Sequence, residues 1–261
     1  MKIYKSIAFF LTFSLLLSLL SVTAYAIAPT GWYVPRNKEH KQPLLDPQFA
    51  YTKNYDCYYV DKKHGDDCKE KVLYLTFDAG YENGNIEKIL DTLKEERVPA
   101  AFFVLDHMIL AETALVKRMN DEGHLVCNHT AKHRDMTKIH TKEKIYEELH
   151  ALEALYEERI GGKMRKYYRP PEGKLSEENL SFLQDLGYQT IMWSFAYADW
   201  DNMRQPDTAA AKKKILDNTH NGAVILLHPT SSTNASVLPE CIREWKSQGF
   251  RFGTLDELVS K

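Results

Sequence analysis

The sequence predicts an α/β protein, a distorted (β/α) barrel with about seven parallel strands. Short β-rich apolar runs alternate strictly with longer segments of helical spacing from residue 71 to the end. Parallel neighbours can be joined only by a crossover, so this alternation places helices outside a parallel sheet, as a barrel or an open doubly wound sheet. The length, 261 residues, suits one such unit behind an export segment. No GxGxxG follows the first strand and no GxxxxGK[ST] occurs, so a nucleotide-binding sheet has no local support.

The chain divides into three parts. Lys2 and Lys5 precede a nearly apolar run from Ile7 to Val22, and Ala24-Tyr25-Ala26 is a small-x-small site. Residues 1–26 therefore read as a signal peptide cleaved after Ala26, which places the body of the protein outside the cytoplasmic membrane. A retained anchor is the competing reading; the run is short for a membrane span and carries Thr12, Ser14 and Ser18. Residues 27–70, rich in Pro, Lys, Asp and Tyr with little periodicity, read as an extended arm. Residues 71–261 are expected to form the α/β domain that carries the functional site.

Within that domain the expected strands are Val72–Phe77, Ala100–Leu105, His124–Cys127, Tyr167–Arg169, Gln189–Trp193, Ala223–Leu227 and Phe250–Phe252. The helices between and after them are Gly84–Glu96, Ala111–Glu122, Thr141–Arg159, Ser176–Leu186, Asp207–Asn218, Ala235–Gln248 and Thr254–Val259. A hydrophobic fraction of 44% supports a packed core. The formal net charge is only -2, without a long basic or acidic block, which argues against nucleic-acid binding by bulk electrostatics. Cys57 and Cys68 bracket a short polar stretch and are candidates for a disulfide in an oxidising compartment, with two free thiols as the alternative.

Polar residues concentrate where these strands end. Asp78 follows the first strand, His129 and His133 the third, Arg169 ends the fourth, Asp199 lies beyond the fifth, and His228 ends the sixth. In a parallel barrel those ends converge on one face, where active sites form. His129 and His133, four apart, would grip one ion if their segment were a helical turn; two surface histidines are the bland alternative. An Asp leaving a buried strand is costly unless paired or functional, so Asp78 is a candidate general base, or else a loop cap. Arg169-Pro170-Pro171-Glu172-Gly173 is a stiff loop able to hold a backbone N–H toward a developing oxyanion, and Arg169 is a candidate partner of Asp199. His228 suits a general acid for an amine leaving group, against the alternative of a core-edge histidine. Trp200 and Tyr197 are candidates for a sugar platform.

These motifs resemble the polysaccharide deacetylase family (NodB homology, carbohydrate esterase family 4). The matches run in order through Thr76-Phe77-Asp78, His129 to His133, Arg169 to Gly173, Asp199-Trp200, and Leu226-Leu227-His228. The extended run Thr76 to Gly84 and the paired prolines after Arg169 more narrowly resemble the sporulation N-acetylmuramic acid deacetylases of muramic δ-lactam formation. The resemblance implies a NodB-type barrel, a peptidoglycan glycan strand as partner and a divalent ion. That ion would be zinc, with cobalt, manganese or magnesium as alternatives, held by His129 and His133. It also implies Asp78 as base, Arg169 positioning it, Asp199 anchoring Arg169, the Glu172 backbone N–H in the oxyanion site, His228 as acid, and Trp200, Tyr197 and Pro171 against the substrate. A monomer, secreted to the wall or the forespore intermembrane space, is expected. One departure stands out: the family's second, metal-ligating Asp is replaced by Ala79. Two other functions compete: a wall-binding protein without catalysis, and a glycoside hydrolase using Asp78 with Asp199.

Overall fold

The computed structural model describes residues 29–36 and 38–260, so the expected signal peptide lies outside the described residues. Strands β1 (Thr30–Gly31) and β2 (Cys57–Tyr58) belong to the arm. They are followed by β3 (Lys71–Ala79), α1 (Ile86–Glu96), β4 (Ala100–Val104), α2 (Asp106–Ala111), α3 (Thr113–Asp121) and β5 (Leu125–Asn128). Next come α4 (Lys142–Arg159), β6 (Tyr167–Tyr168), β7 (Lys174–Leu175), α5 (Glu177–Asp185) and β8 (Gln189–Ile191). The chain closes with α6 (Thr208–Asp217), β9 (Ala223–Leu227), α7 (Ser232–Ser247), β10 (Phe250–Phe252) and α8 (Leu255–Val259).

The main sheet runs β10-β3-β4-β5-β6-β8-β2, with β9 also on β3, and every pairing in it is parallel. It curls far enough that Phe195, just past β8, forms a parallel bridge with Ile225 of β9. The seven expected strands are all in this sheet. The eighth, β2, was hidden in the aperiodic arm, because two residues are too few to show a period.

Alternation along β3 sorts its side chains. Leu73, Leu75, Phe77 and Ala79 join the apolar layer shared with Ile86, Ile89 and Leu90 of α1 and with Val237 and Leu238 of α7. Val72 and Tyr74 join the inner cluster with Phe103, Cys127, Tyr167 and Val224. Asp78 follows the inner parity and therefore emerges at the mouth of the curl. The single helix expected over 111–122 is two, because Glu112 (φ -125°, ψ 42°) leaves helical geometry between α2 and α3. β6 is shorter than expected: Pro170 supplies no N–H to continue a ladder.

The arm is clamped rather than loose. Trp32 donates its backbone N–H to Gly173 at 2.8 Å and its indole N–H to the Trp193 carbonyl at 2.9 Å. A 3-10 helix over Pro47–Asn54, capped by Asp46, packs Phe49 and Tyr51 into a second core with Trp32 and Leu175. Beneath the barrel, Asn221 donates to the carbonyls of Gly65, Cys68 and Glu70 and accepts from the backbone N–H of Val72. Gly222, at φ +72°, lies so close to the arm that a Cβ there would meet the Asp61 carbonyl oxygen at 2.4 Å. Of the two alternatives for Cys57 and Cys68 the structure has free thiols rather than a disulfide; all four cysteines are free. Cys57 is fixed beside Thr190 by strand pairing, while Cys68 is held in the turn that Asn221 gathers. Among the described residues no helix is long and apolar enough to cross a membrane.

Candidate active site

Parallel strands bring their carboxyl ends to one mouth, where a cavity of about 670 Å³ is lined by Asp78, His129, His133, Glu172, Trp193, Trp200 and His228, among others. Two charged pairs face each other across it. On one side Arg169, fully buried, donates Nη1 to Oδ1 of Asp78 at 2.8 Å. Its remaining donors go to the Ile191 carbonyl (Nε, 2.9 Å), Thr76 Oγ1 (Nη2, 2.9 Å) and the Met192 carbonyl (Nη2, 3.3 Å). The guanidinium lies 4.1 Å from the Phe103 ring centroid, a cation–π contact suited to a buried arginine. Burial pushes the Asp78 carboxyl up, but Arg169, with His129 and His228, outweighs it and holds the group below the usual carboxylate range.

On the other side His228 donates Nδ1–H to Oδ1 of Asp199 at 2.7 Å, and its backbone N–H to Oδ2 at 2.9 Å. Asp199 is 1% exposed. Burial alone would lower the imidazolium's pKa; the Asp199 hydrogen bond and the charges of Asp199 and Asp78 reverse that, so it is raised. With Nδ1 committed, Nε2 is the ring nitrogen left for the cavity.

The partner of Asp199 is thus His228, which corrects the expected Arg169–Asp199 pair. Backbone carbonyls, Thr76 and Asp78 already satisfy the guanidinium, and the Asp199 carboxylate is filled by His228 and Asn234. That also removes the carboxylate pair a glycoside hydrolase would need, since both oxygens of Asp199 are engaged at depth.

His129 and His133 do come together, with ring centroids 5.1 Å apart and edge-on, but by a different route from the expected helical turn. The segment is a bend with Thr130 at φ 70° and His133 at φ 54°. Asn128 makes that bend: it accepts from the Thr130 N–H at 2.8 Å and donates to the Leu149 carbonyl at 2.9 Å. His129 lies 3.6 Å from Asp78 through Nε2 and Oδ2, and its Nδ1 is 2.9 Å from the Arg169 carbonyl. Donation to that carbonyl puts the proton on Nδ1 and the lone pair on Nε2, the form a metal ligand needs. Burial, the largest influence, lowers the ring's pKa to about 4 and keeps it neutral. Among the described residues no three of His, Cys, Asp and Glu are placed to hold one ion together. Ala79, fully buried in the outer apolar layer, contributes no oxygen.

The Arg169–Gly173 loop reaches the cavity through Glu172 and Gly173, whereas Pro171 is buried and does not line it, contrary to its expected role against substrate. Glu172 takes a left-handed φ of 56° and turns its carboxylate to Lys174 at 2.8 Å. Trp200 stands 61% exposed at the mouth, its ring 6.1 Å from that of His228, as a platform should. Tyr197 is 2% exposed, and its hydroxyl donates to Asn234, so it braces the site more than it offers an open face.

Three participants were not read from the sequence as such. Thr76 links Arg169 to the Ile225 carbonyl (2.8 Å). Tyr81, at the rim, accepts from Asn202 at 2.5 Å, joining two entry loops. Asn234 donates to Asp199 at 2.6 Å. Thr76 and Tyr81 fall in the run that resembles the family but were given no role of their own there, and Asn234 has no local signature.

Known proteins resemble this chain in sequence and in fold. Residues 65–191 match the model of the polysaccharide deacetylase family. The chain is 39% identical over 234 residues to the peptidoglycan-N-acetylmuramic acid deacetylase PdaA of Bacillus subtilis, covering 88% of this chain and 86% of that one. The solved structure of the same enzyme, described as a family 4 carbohydrate esterase, superposes with a TM-score of 0.83 at 38% identity, over 89% of this chain and 97% of that one. A family 4 carbohydrate esterase from Bacillus anthracis gives a TM-score of 0.73 at 35% identity, over 91% and 99% of the two chains. The peptidoglycan-N-acetylglucosamine deacetylase PgdA of Listeria monocytogenes is 32% identical over 87% of this chain and 47% of its own length.

Proposed function

The chain belongs to the polysaccharide deacetylase family, and from that premise we propose that it is a secreted hydrolase removing N-acetyl groups from peptidoglycan sugars. N-acetylmuramic acid, in muramic δ-lactam formation of spore cortex, is the favoured sugar, supported by the likeness to PdaA. N-acetylglucosamine of wall glycan, or a chitooligosaccharide, is the alternative. The observation that carries the reading is the pair of oriented groups across one cavity: Asp78 held by Arg169, and His228 held by Asp199.

Their protonation suits amide hydrolysis, in which water adds to the acetyl carbonyl, the C–N bond breaks, and acetate and a free amine leave. Asp78, kept ionised, accepts the proton of the attacking water. His228, whose protonated form Asp199 favours, delivers a proton to the departing nitrogen. The backbone N–H of Glu172, presented by a left-handed turn between Pro171 and Gly173, is assigned to the developing oxyanion. Trp200 offers a ring face to the sugar.

His129 and His133 are the residues that would hold a divalent ion, zinc first and cobalt, manganese or magnesium as alternatives. The fit rests on the neutral, Nδ1-anchored form of His129 with His133 beside it. When bound, such an ion supplies Lewis-acid polarisation of the acetyl carbonyl and the attacking water. With only two imidazoles and no Asp at position 79, its affinity is expected to be weak.

The test is mass spectrometry of purified wall glycan, with and without prior amidase treatment, after incubation with the protein and added divalent metals. The expected result is a mass loss of one acetyl group per modified sugar, at unchanged chain length. A wall-binding homologue, favoured by Ala79, would bind glycan and release no acetate at any metal concentration. Chain shortening insensitive to chelator would point to glycoside hydrolysis.

A further inference from the structure

A second concavity, of about 330 Å³, adjoins the catalytic cavity. The two share Trp193, Ala196, Tyr197 and Trp200, so they lie side by side. The arm contributes Trp32, Tyr33, Val34 and Arg36. Its position is fixed from the catalytic side: Trp32 is bonded to Gly173 and to the Trp193 carbonyl, and Arg36 donates Nη2 to the Ala196 carbonyl at 2.9 Å.

The lining has an unusual composition for a stretch of surface. Tyr33 is 46% and Trp200 61% exposed, two aromatic rings available to the apolar faces of a sugar. The Tyr33 hydroxyl is tied to Asp46 and Gln48, so the ring is what it offers. Among the described residues that line this concavity, Arg36 carries the only charge. It is exposed, and no carboxylate of the described residues pairs with it. One of its five N–H donors is used by Ala196, and the others are free to meet a ligand. A planar guanidinium in a concavity that aromatic residues also line matches a carboxylate carried on a sugar.

We propose that the arm builds a second sugar subsite beside the catalytic cavity, and that Arg36 there binds the lactyl carboxylate of an N-acetylmuramic acid unit in the same glycan strand. The inference rests on the hydrolase reading for its choice of strand. It makes Arg36 a specificity residue: a strand whose lactyl groups are still amide-linked to peptide lacks the anion, and a chitooligosaccharide lacks the lactyl group altogether.

The experiment measures binding to the full chain by titration calorimetry at low ionic strength. One probe is a tetrasaccharide of alternating N-acetylglucosamine and N-acetylmuramic acid with free lactyl carboxylates; the other is the same tetrasaccharide with those carboxylates converted to primary amides. The expected result is about 5- to 10-fold tighter binding of the acid form, shrinking as salt is added. Arg36→Gln abolishes this preference and leaves the affinity for the amide form unchanged, while Arg36→Lys restores part of it. Equal affinity of the unsubstituted protein for both probes, no binding of either, or an Arg36→Gln protein that weakens both alike would overturn the proposal. Acetate release from the acid form is followed in parallel with added divalent metals. Charge-selective binding without acetate sinks the hydrolase reading and leaves the subsite standing; acetate release without charge selectivity does the reverse.

Discussion

Asn234 donates its side-chain amide to Oδ2 of Asp199 at 2.6 Å, behind the His228 imidazole. The amide cannot flip without loss, because its oxygen accepts the Tyr197 hydroxyl and the same nitrogen reaches the His228 carbonyl at 3.0 Å. Burial raises the Tyr197 phenol well above its ordinary pKa, so it remains a donor at any working pH. Asp199, Asn234 and Tyr197 therefore hold the proposed acid in one orientation, and Asn234 is a positioning residue at their centre.

Asn234→Leu, close in volume, removes all three interactions and leaves Asp199 short of a donor. A buried carboxylate losing such a bond costs about 1–3 kcal/mol, so kcat is expected to fall roughly 10- to 100-fold with KM little changed. Tyr197→Phe is expected to cost less, since the amide keeps its bond to Asp199. Steady-state kinetics with circular dichroism for fold integrity checks both; an unchanged kcat in Asn234→Leu would refute the positioning role.

Asp78→Asn removes the proposed base and should lower kcat about 10²- to 10⁴-fold. Arg169→Met tests its tuning. Asp78 works deprotonated, so activity falls as pH drops through its pKa. Arg169 holds that pKa low despite burial, and removing the guanidinium moves the acid limb of kcat/KM to higher pH. Because Arg169 is wholly buried with four hydrogen bonds, the variant also loses about 3–5 kcal/mol of stability, measurable by urea unfolding.

The alkaline limb belongs to His228. It must be protonated to donate, so the rate declines as pH rises through its raised pKa. Asp199→Asn removes the hydrogen-bonded charge that does most to raise it, and the alkaline limb should shift to lower pH. A pH–rate profile with an unmoved alkaline limb would show that His228 is not the acid.

His124 gives a stability signal separate from catalysis. It is 6% exposed, its Nδ1 accepts from the Ala100 N–H, and burial lowers its pKa to about 4. In the unfolded chain the ordinary value of 6.5 applies. Between those two values the unfolded state binds a proton that the folded state does not, so stability falls as pH drops through that window, by ~2–4 kcal/mol at its lower end. His124→Asn keeps an acceptor for Ala100 and cannot titrate. Its unfolding free energy should lose less between pH 6.5 and 4 than that of the unsubstituted protein in parallel denaturant titrations.

The layout of the sheet was legible because runs such as Val72–Phe77 and Ala223–Leu227 are apolar enough to announce buried parallel strands, and turns separate them cleanly. Asp78, His129, Arg169 and His228 were legible because each sits within a residue or two of a strand end. What the sequence did not contain was pairing. Nothing near Asp199 distinguishes Arg169 from His228 as its partner; that choice depends on how the loop after β8 drapes over β9. The bend at 129–133 was equally hidden, since it arises from Asn128 caught between Thr130 and Leu149 rather than from any spacing of the histidines. Asn234 lay in a run of small polar residues that reads as a helix start, and it is one: Ser231 caps the helix.

Gly222 is constrained twice over, by a left-handed backbone and by an arm that crosses it with no room for a single extra carbon. Floor and strap are consequently complementary surfaces: no side chain can be introduced at 222 while the segment from Asp61 to His64 stays where it is. The arm therefore meets the barrel at two separate places, its base at Gly222 and, through Trp32 and Arg36, the flank of the catalytic cavity.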